Sequence, residues 1–231
     1  LTEYRRLGHL RYAPLPGGDL AARAPWRVAV GYASLQEEGA QALLPPDGTV
    51  DPAGLAAARQ QTRRGVNAPL ASSMGRLFDA ASAVLGVRME ARHEGQAPME
   101  LESLAGDASA EAMPFPVAPS PEGMWILDPV PLLEALASLR DRGVDPPELA
   151  ARFHESVVCA SASLAVRLCG EEGLDTVALG GGCFQNVRLL DGIRSRLENE
   201  GLRVLVPCRL SPNDGAVSYG QAVIAAARLN D

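Results

Sequence analysis

A glycine triplet that follows a short apolar segment constrains the fold of this chain more than any other feature. Residues 176–179 read Thr-Val-Ala-Leu, which is typical of a short buried strand, and Gly180-Gly181-Gly182 comes directly after it. Apolar residues at helical spacing then predict a helix over 187–197. A second strand over 203–206 and an alanine-rich helix over 216–228 follow. This order predicts an α/β fold in which the two strands are parallel neighbours.

Two polar loops lie at the carboxyl ends of these strands. They read GGGCFQN over 180–186 and SPNDG over 211–215. Ligands of open α/β sheets bind at this edge, so we expect the two loops to lie side by side. Glycines before a helix allow the close approach of an anion such as phosphate, but a lone triplet equally predicts a tight turn. The Rossmann pattern fails at Gln185, and no Walker motif is present.

Single residues in these loops each allow two interpretations. Asn186 either binds a ligand or caps the helix that it precedes, and capping is the commoner role. Asp214 either binds a metal through its carboxylate or serves its own turn and the first N–H groups of the next helix, and from this segment alone the structural role is favoured. Cys183 stands at a strand-to-helix turn, as a nucleophile does, but no histidine follows residue 154 to act as its base. A half-buried structural thiol is therefore favoured over a nucleophile.

The first two thirds of the chain read as helices with short strands. Arg76 and Asp79 lie three residues apart on one predicted helix, either as a surface ion pair or as groups that face a nucleotide. His154 beside Phe153 is interpreted as a helix-face residue rather than a base. The predicted elements are strands over 9–15 and 125–127, helices over 24–38, 52–64, 70–86, 97–105, 130–142 and 148–169, and a proline-rich loop over 113–123 that is the candidate domain boundary.

Composition excludes several classes of function. The net charge of −7 argues against a general nucleic-acid binder, which needs a basic face. No apolar run reaches the ~18 residues of a membrane span. The four cysteines form no C-x-x-C pair and the three histidines no H-x-x-x-H pair, so no local metal site is visible and a cytoplasmic location is expected. The first residue is Leu1 rather than Met, and we expect a fragment or a processed chain.

Eight short segments, taken together, resemble one family. They are PLPGGD (14–19), PW (25–26), SSMGRLFDA (72–80), EGQA (94–97), RFH (152–154), GGGCFQN (180–186), PND-G (212–215) and GQAV (220–223). This order resembles the HypF-type carbamoyltransferases of nickel–iron hydrogenase maturation, whose domain is related to antibiotic O-carbamoyltransferases and to the tRNA threonylcarbamoyladenosine ligase. The resemblance implies that residues 1–231 form the later part of a Kae1-like domain. Its fold would be the later lobe of an actin/Hsp70-like ATPase, with a parallel or mixed sheet and many helices. The resemblance also implies that the first lobe is absent.

The resemblance also implies a reaction and a site. Carbamoyl phosphate and ATP would give a carbamoyl-adenylate, whose carbamoyl group passes to the C-terminal cysteine of a HypE-like protein. Asp79 would accept hydrogen bonds from ribose hydroxyls. Gly95 would pack against the nucleoside and Asn186 would hydrogen-bond the adenosine. The phosphate side would be lined by Gly180, Gly181 and Gly182, and Asp214 would be one metal ligand.

This chain departs from the family pattern in ways that limit the expected activity. The family's H-x-x-x-H segment, which would supply two further ligands for zinc or iron, lies before the part that this chain resembles. We therefore expect the chain to be inactive alone and to leave Asp214 free of metal. Gly180 stands where serine is common, and Cys183 where an aliphatic residue is common. The alternatives are an antibiotic O-carbamoyltransferase, a cysteine-dependent amidotransferase, and a nucleotide-binding or partner-docking module without catalysis.

Overall fold

The computed structural model describes residues 3–36 and 43–229. Most of these residues are helical. Seven short strands are present in these ranges: β1 (Gly8–Leu10), β2 (Ala13–Pro14), β3 (Leu70–Ala71), β4 (Val117–Pro119), β5 (Trp125–Leu127), β6 (Thr176–Ala178) and β7 (Arg203–Leu205). The helices are α1 (Asp19–Arg23), α2 (Pro25–Ala33), α3 (Pro52–Arg64), α4 (Met74–Val84), α5 (Gln96–Ala105), α6 (Val130–Asp141), α7 (Pro146–Glu172), α8 (Val187–Asn199) and α9 (Val217–Arg228). Two 3₁₀ turns, Gly182–Gln185 and Asp214–Ala216, precede α8 and α9.

The strands form three small sheets in the described ranges. In the first, β5 lies between β1, to which it is parallel, and β4, to which it is antiparallel. The second pairs β2 with β3 in antiparallel orientation, and the third pairs β6 with β7 in parallel orientation. The predicted α/β fold with a mixed sheet and many helices is therefore confirmed.

The core is built around α4, which packs against α2, α5 and α6. Its predicted apolar face is confirmed, because Leu77 and Ala81 are fully buried and Leu85, directly after the helix, is 8% exposed. Phe78 meets Phe153 of α7 edge to face with ring centroids 4.9 Å apart, a favourable aromatic geometry. This packing fixes one face of α4, and therefore the position of the polar residues between its apolar ones.

Most local differences from the sequence prediction come from turns and helix caps. The predicted strand 9–15 is divided into β1 and β2, and the predicted helix 24–38 ends at Ala33, with residues 37 and 38 outside the described ranges. Residues 70–71 form β3 instead of helix, because Ser73 caps α4 by accepting a hydrogen bond from the N–H of Arg76.

The proline-rich segment 113–123 contains a strand that the sequence did not predict. Pro119 is tolerated there because β4 is an edge strand of its sheet. The segment is also tied to α7, since the N–H of Met113 donates to Ser156 Oγ at 2.7 Å. A domain boundary at this segment stays a prediction.

The C-terminal unit has the predicted parallel topology, with Thr176 opposite Arg203 and Ala178 opposite Leu205. The burial expected for 176–179 is confirmed only at Leu179, which is 7% exposed, because Thr176 is half-buried and Ala178 is exposed. A parallel strand is buried when helices cover both faces of its sheet, but among the described residues of α9 none is buried. No helix within the described ranges is long and apolar enough to cross a membrane.

Candidate functional site

The ion pair on α4 is buried rather than exposed at the surface. Arg76 Nη1 lies 2.9 Å from Asp79 Oδ2, and the two side chains are 16% and 4% exposed. Both residues follow the Ser73 cap, so they lie in the first two turns of the helix. Of the two interpretations of this pair, the ordinary surface ion pair is wrong.

Two atoms of this pair lack a hydrogen-bond partner among the described residues. They are Arg76 Nη1 and Asp79 Oδ2, which approach each other without the angular geometry of a hydrogen bond. Burial raises the pKa of Asp79 to about 7, Arg76 opposes this increase, and the negative charge of Glu94 adds to it. Buried polar atoms without partners are rare in native proteins, and here they suggest a site for a ligand.

The 3₁₀ turn that contains Cys183 packs against α4. Burial raises the pKa of the Cys183 thiol, and the charges of Arg76 and Asp79 act on it as well, in opposite directions. The thiol therefore lies within electrostatic reach of the ion pair. A raised pKa disfavours the thiolate that a nucleophile requires, and the half-buried position agrees with the structural interpretation of this cysteine.

Gly95 precedes α5 and brings a third segment to the same region. Its φ of 75° and ψ of 0° lie in the left-handed region, where glycine is favoured, and the helix begins at the next residue. The neighbouring Glu94 is close enough to Asp79 to influence its pKa. The structure thus brings together α4, the start of α5 and the glycine-rich loop, and binding of a nucleotide there stays a prediction.

The two polar loops lie side by side at the carboxyl ends of β6 and β7, as predicted. The N–H of Gly181 donates to the carbonyl of Pro212 at 2.8 Å, so the glycine-rich loop is bonded to the SPNDG loop. Gly181 has a φ of 106°, which is unfavourable for any other residue. No described atom lies within 4 Å of the position that a Cβ would take at Gly180 or Gly181, so this face of the loop is open.

Asn186 caps α8, as expected from its position. It is 8% exposed, and its Oδ1 accepts a hydrogen bond from the N–H of Leu189 at 2.8 Å. Its Nδ2 lies 3.0 Å from Nε2 of His154, which is fully buried in α7. Sequence reasoning missed this contact. The only available signal was the RFH segment, whose histidine falls among the apolar residues of the helical pattern.

Asp214 does not have the structural role that was predicted for it. It is exposed at the start of the 3₁₀ turn before α9, and the N–H of Gly215 is bonded at 3.0 Å by the side chain of Asn213 instead. Asn213 is better placed for this bond because it precedes the turn, as a capping residue does. Within residues 3–36 and 43–229, no three or more His, Cys, Asp or Glu residues are grouped as metal ligands would be. The described residues therefore do not form a metal site.

Comparison with known proteins assigns the family. Residues 1–221 match the family described as the second subdomain of the Kae1-like domain of carbamoyltransferases. The chain belongs to this family. A carbamoyltransferase HypF of Rhodobacter capsulatus is 41% identical to it over 227 residues, which are 98% of this chain and 29% of the relative. The resemblance identified from the eight segments is thus confirmed.

Two solved structures have the same fold as this Kae1-like subdomain. The crystal structure of full-length HypF in its phosphate- and nucleotide-bound form is 34% identical, with a TM-score of 0.92 over 100% of this chain and 30% of that one. The structure of T. kodakarensis HypF is 29% identical, with a TM-score of 0.85 over 98% of this chain and 30% of that one. The chain thus spans about 30% of the length of these proteins.

Proposed function

We propose that this chain supplies part of the nucleotide site of a carbamoyltransferase of hydrogenase maturation, within a longer polypeptide. In this proposal ATP and carbamoyl phosphate form a carbamoyl-adenylate, and the carbamoyl group passes to the C-terminal cysteine of a HypE-like acceptor in the cytoplasm. The supporting facts are the family of the chain and the nucleotide-bound state of a solved HypF. The relatives described above are HypF proteins, which favours hydrogenase maturation over antibiotic O-carbamoylation.

The observation that carries the proposal is the buried, incompletely bonded pair on α4. Asp79 Oδ2 needs a donor and Arg76 Nη1 needs an acceptor. A hydroxyl group can both donate and accept a hydrogen bond. A ribose hydroxyl that donates to Asp79 and accepts from Arg76 would therefore satisfy the two atoms together. Gly95 leaves room beside this pair for the nucleoside, because a Cβ there would have only Met99 Sδ within 4 Å, at 4.0 Å.

The glycine-rich loop fits the phosphate side of the same ligand. The Gly181 N–H is already bonded to Pro212, so a phosphate would be bound by the N–H groups of Gly180 and Gly182, for which no described acceptor is present. In this arrangement Asn186 lies at the end of the loop, where its amide can hydrogen-bond the adenosine. This chain's residues therefore bind and orient the nucleotide.

The metal proposed for the family is not accounted for by these residues. Asp214 is a single exposed carboxylate, and a transition metal generally requires several protein ligands, of which imidazole is favoured by zinc and iron. We propose that Asp214 becomes a ligand only beside histidines from another part of the polypeptide. The full-length protein should then lose bound zinc or iron on the Asp214→Ala change, while the isolated chain contains none. Unchanged metal content in the full-length variant would remove Asp214 from the ligand set.

The nucleotide proposal is tested by calorimetric binding of an ATP analogue to the full-length protein. At pH 8, above the Asp79 pKa of about 7, Asp79→Asn replaces a charged acceptor by a neutral one and should weaken binding about fivefold to tenfold, since hydrogen bonds to charged groups contribute about 1 kcal/mol more than those to neutral groups. Asp141→Asn is the matched control, because Asp141 is a 61% exposed carboxylate on α6. Equal affinities of wild type and Asp79→Asn would refute the proposal.

The isolated chain is expected to be inactive. With only part of the cleft present, carbamoyl-phosphate-dependent release of AMP should be negligible for the 231 residues alone. Robust AMP release from this chain would contradict the assignment of catalysis to the longer polypeptide.

A further inference from the structure

His154 is buried on α7 with both ring nitrogens hydrogen-bonded. Nδ1 lies 2.8 Å from the carbonyl of Ala150, which can only accept, so Nδ1 carries the proton. Burial lowers the pKa of His154 to about 4, with Arg188 adding to the decrease, and the ring is therefore neutral at physiological pH. In a neutral imidazole with the proton on Nδ1, Nε2 is an acceptor.

The ring is held in place by its neighbours as well as by these bonds. His154 contacts Phe78 and Phe153 in edge-to-face geometry, with centroid distances of 5.3 and 5.8 Å. A rotation of the ring would disrupt this packing and the bond to Ala150. The tautomer and the orientation of His154 are therefore both fixed.

A fixed acceptor determines the orientation of the Asn186 amide. Nε2 of His154 accepts from Asn186 Nδ2 at 3.0 Å, while Asn186 Oδ1 accepts from the N–H of Leu189 at 2.8 Å. The reversed amide would place its oxygen against the lone pair of Nε2 and its nitrogen against an N–H donor. The second N–H of Nδ2 has no acceptor among the described residues, so this N–H remains available as a donor.

We propose that His154 is a positioning residue that fixes Asn186 as a hydrogen-bond donor to the bound nucleoside. The inference rests on the proposed function. The ligand atom that Asn186 recognises must then be a hydrogen-bond acceptor, such as a ring nitrogen of the purine or an oxygen of the ribose. The exocyclic amino group of adenine is a donor and does not fit. His154 itself does not touch the ligand.

The test compares variants of the full-length protein by calorimetric binding of an ATP analogue and by thermal unfolding. His154→Leu removes the acceptor and should weaken binding about fivefold to tenfold, the effect of one hydrogen bond. His154→Gln retains an acceptor oxygen and should recover most of the affinity. Phe153→Leu is the matched control, because Phe153 belongs to the same aromatic cluster without contacting Asn186. Because Phe153 also packs against His154, Phe153→Leu should lower stability and weaken nucleotide binding clearly less than His154→Leu does.

A double-variant comparison separates positioning from a general loss of structure. If His154 acts through Asn186, then His154→Leu should add nothing to the weaker binding of Asn186→Ala. Wild-type affinity in His154→Leu, or equal losses in His154→Leu and Phe153→Leu, would overturn the positioning role while the effect of Asp79→Asn still supports the nucleotide site. Absence of nucleotide binding by the wild type would overturn both proposals.

Discussion

The buried carboxyl of Asp79 predicts an unusual dependence of stability on pH. Its pKa is raised from 3.8 to about 7 in the folded chain, mainly by burial. Between these two values the folded state holds a proton that the unfolded state has released. Stability therefore falls as pH rises through this range, and above about pH 7 the decrease is complete. At about 1.36 kcal/mol per pH unit, the full effect is about 4 kcal/mol.

Urea unfolding of the isolated chain at a series of pH values measures this effect. Between pH 5 and pH 8 the wild type should lose about 2–3 kcal/mol of unfolding free energy relative to Asp79→Asn, because the remaining part of the loss lies below pH 5. Asp141→Asn, an exposed control, should follow the wild type at every pH. Parallel curves for wild type and Asp79→Asn would refute the argument that burial dominates over the nearby Arg76.

Three further predictions follow from particular contacts. Gly31→Ala should destabilise the chain by about 2 kcal/mol or more in urea unfolding, because the added Cβ would lie 2.0 Å from the carbonyl oxygen of Pro14. The control Gly170→Ala should be neutral or stabilising, because nothing lies within 4 Å of the Cβ that it adds to a helix. Asn186→Ala should cost about 1–2 kcal/mol in the same assay, since it removes the cap of α8 and the partner of His154, and no loss would contradict the capping role. Iodoacetamide should label the exposed Cys208 well before Cys183, whose thiol pKa is raised, and mass spectrometry showing the reverse order would restore the nucleophile hypothesis.

The parts of the fold that sequence predicted are those with a strong local pattern. The apolar spacing of Leu77, Ala81 and Leu85 was sufficient for α4, since one buried face specifies a helix. The strand β4 was missed because four prolines over 113–123 outweighed its short apolar pattern, and edge position is a property of the sheet rather than of the segment.

In the candidate site, too, the features with a local sequence pattern were predicted and those that depend on tertiary packing were not. The position of the two loops followed from the strand order, and the cap at Asn186 from its residue type. The bond between Asn186 and His154 joins residues 32 apart on different helices, so no local pattern contains it. Likewise, the burial of Arg76 and Asp79 depends on packing around α4, and the sequence alone left a surface pair equally open.

The measurement that tests the nucleotide site most directly is a crystal structure of the full-length protein with a non-hydrolysable ATP analogue. The account predicts a ribose hydroxyl within hydrogen-bond distance of Asp79, about 2.5–3.0 Å, and phosphates beside Gly180 and Gly182. It also predicts that Asn186 donates to an acceptor atom of the nucleoside. A nucleotide bound elsewhere, with the Arg76–Asp79 pair untouched, would contradict it.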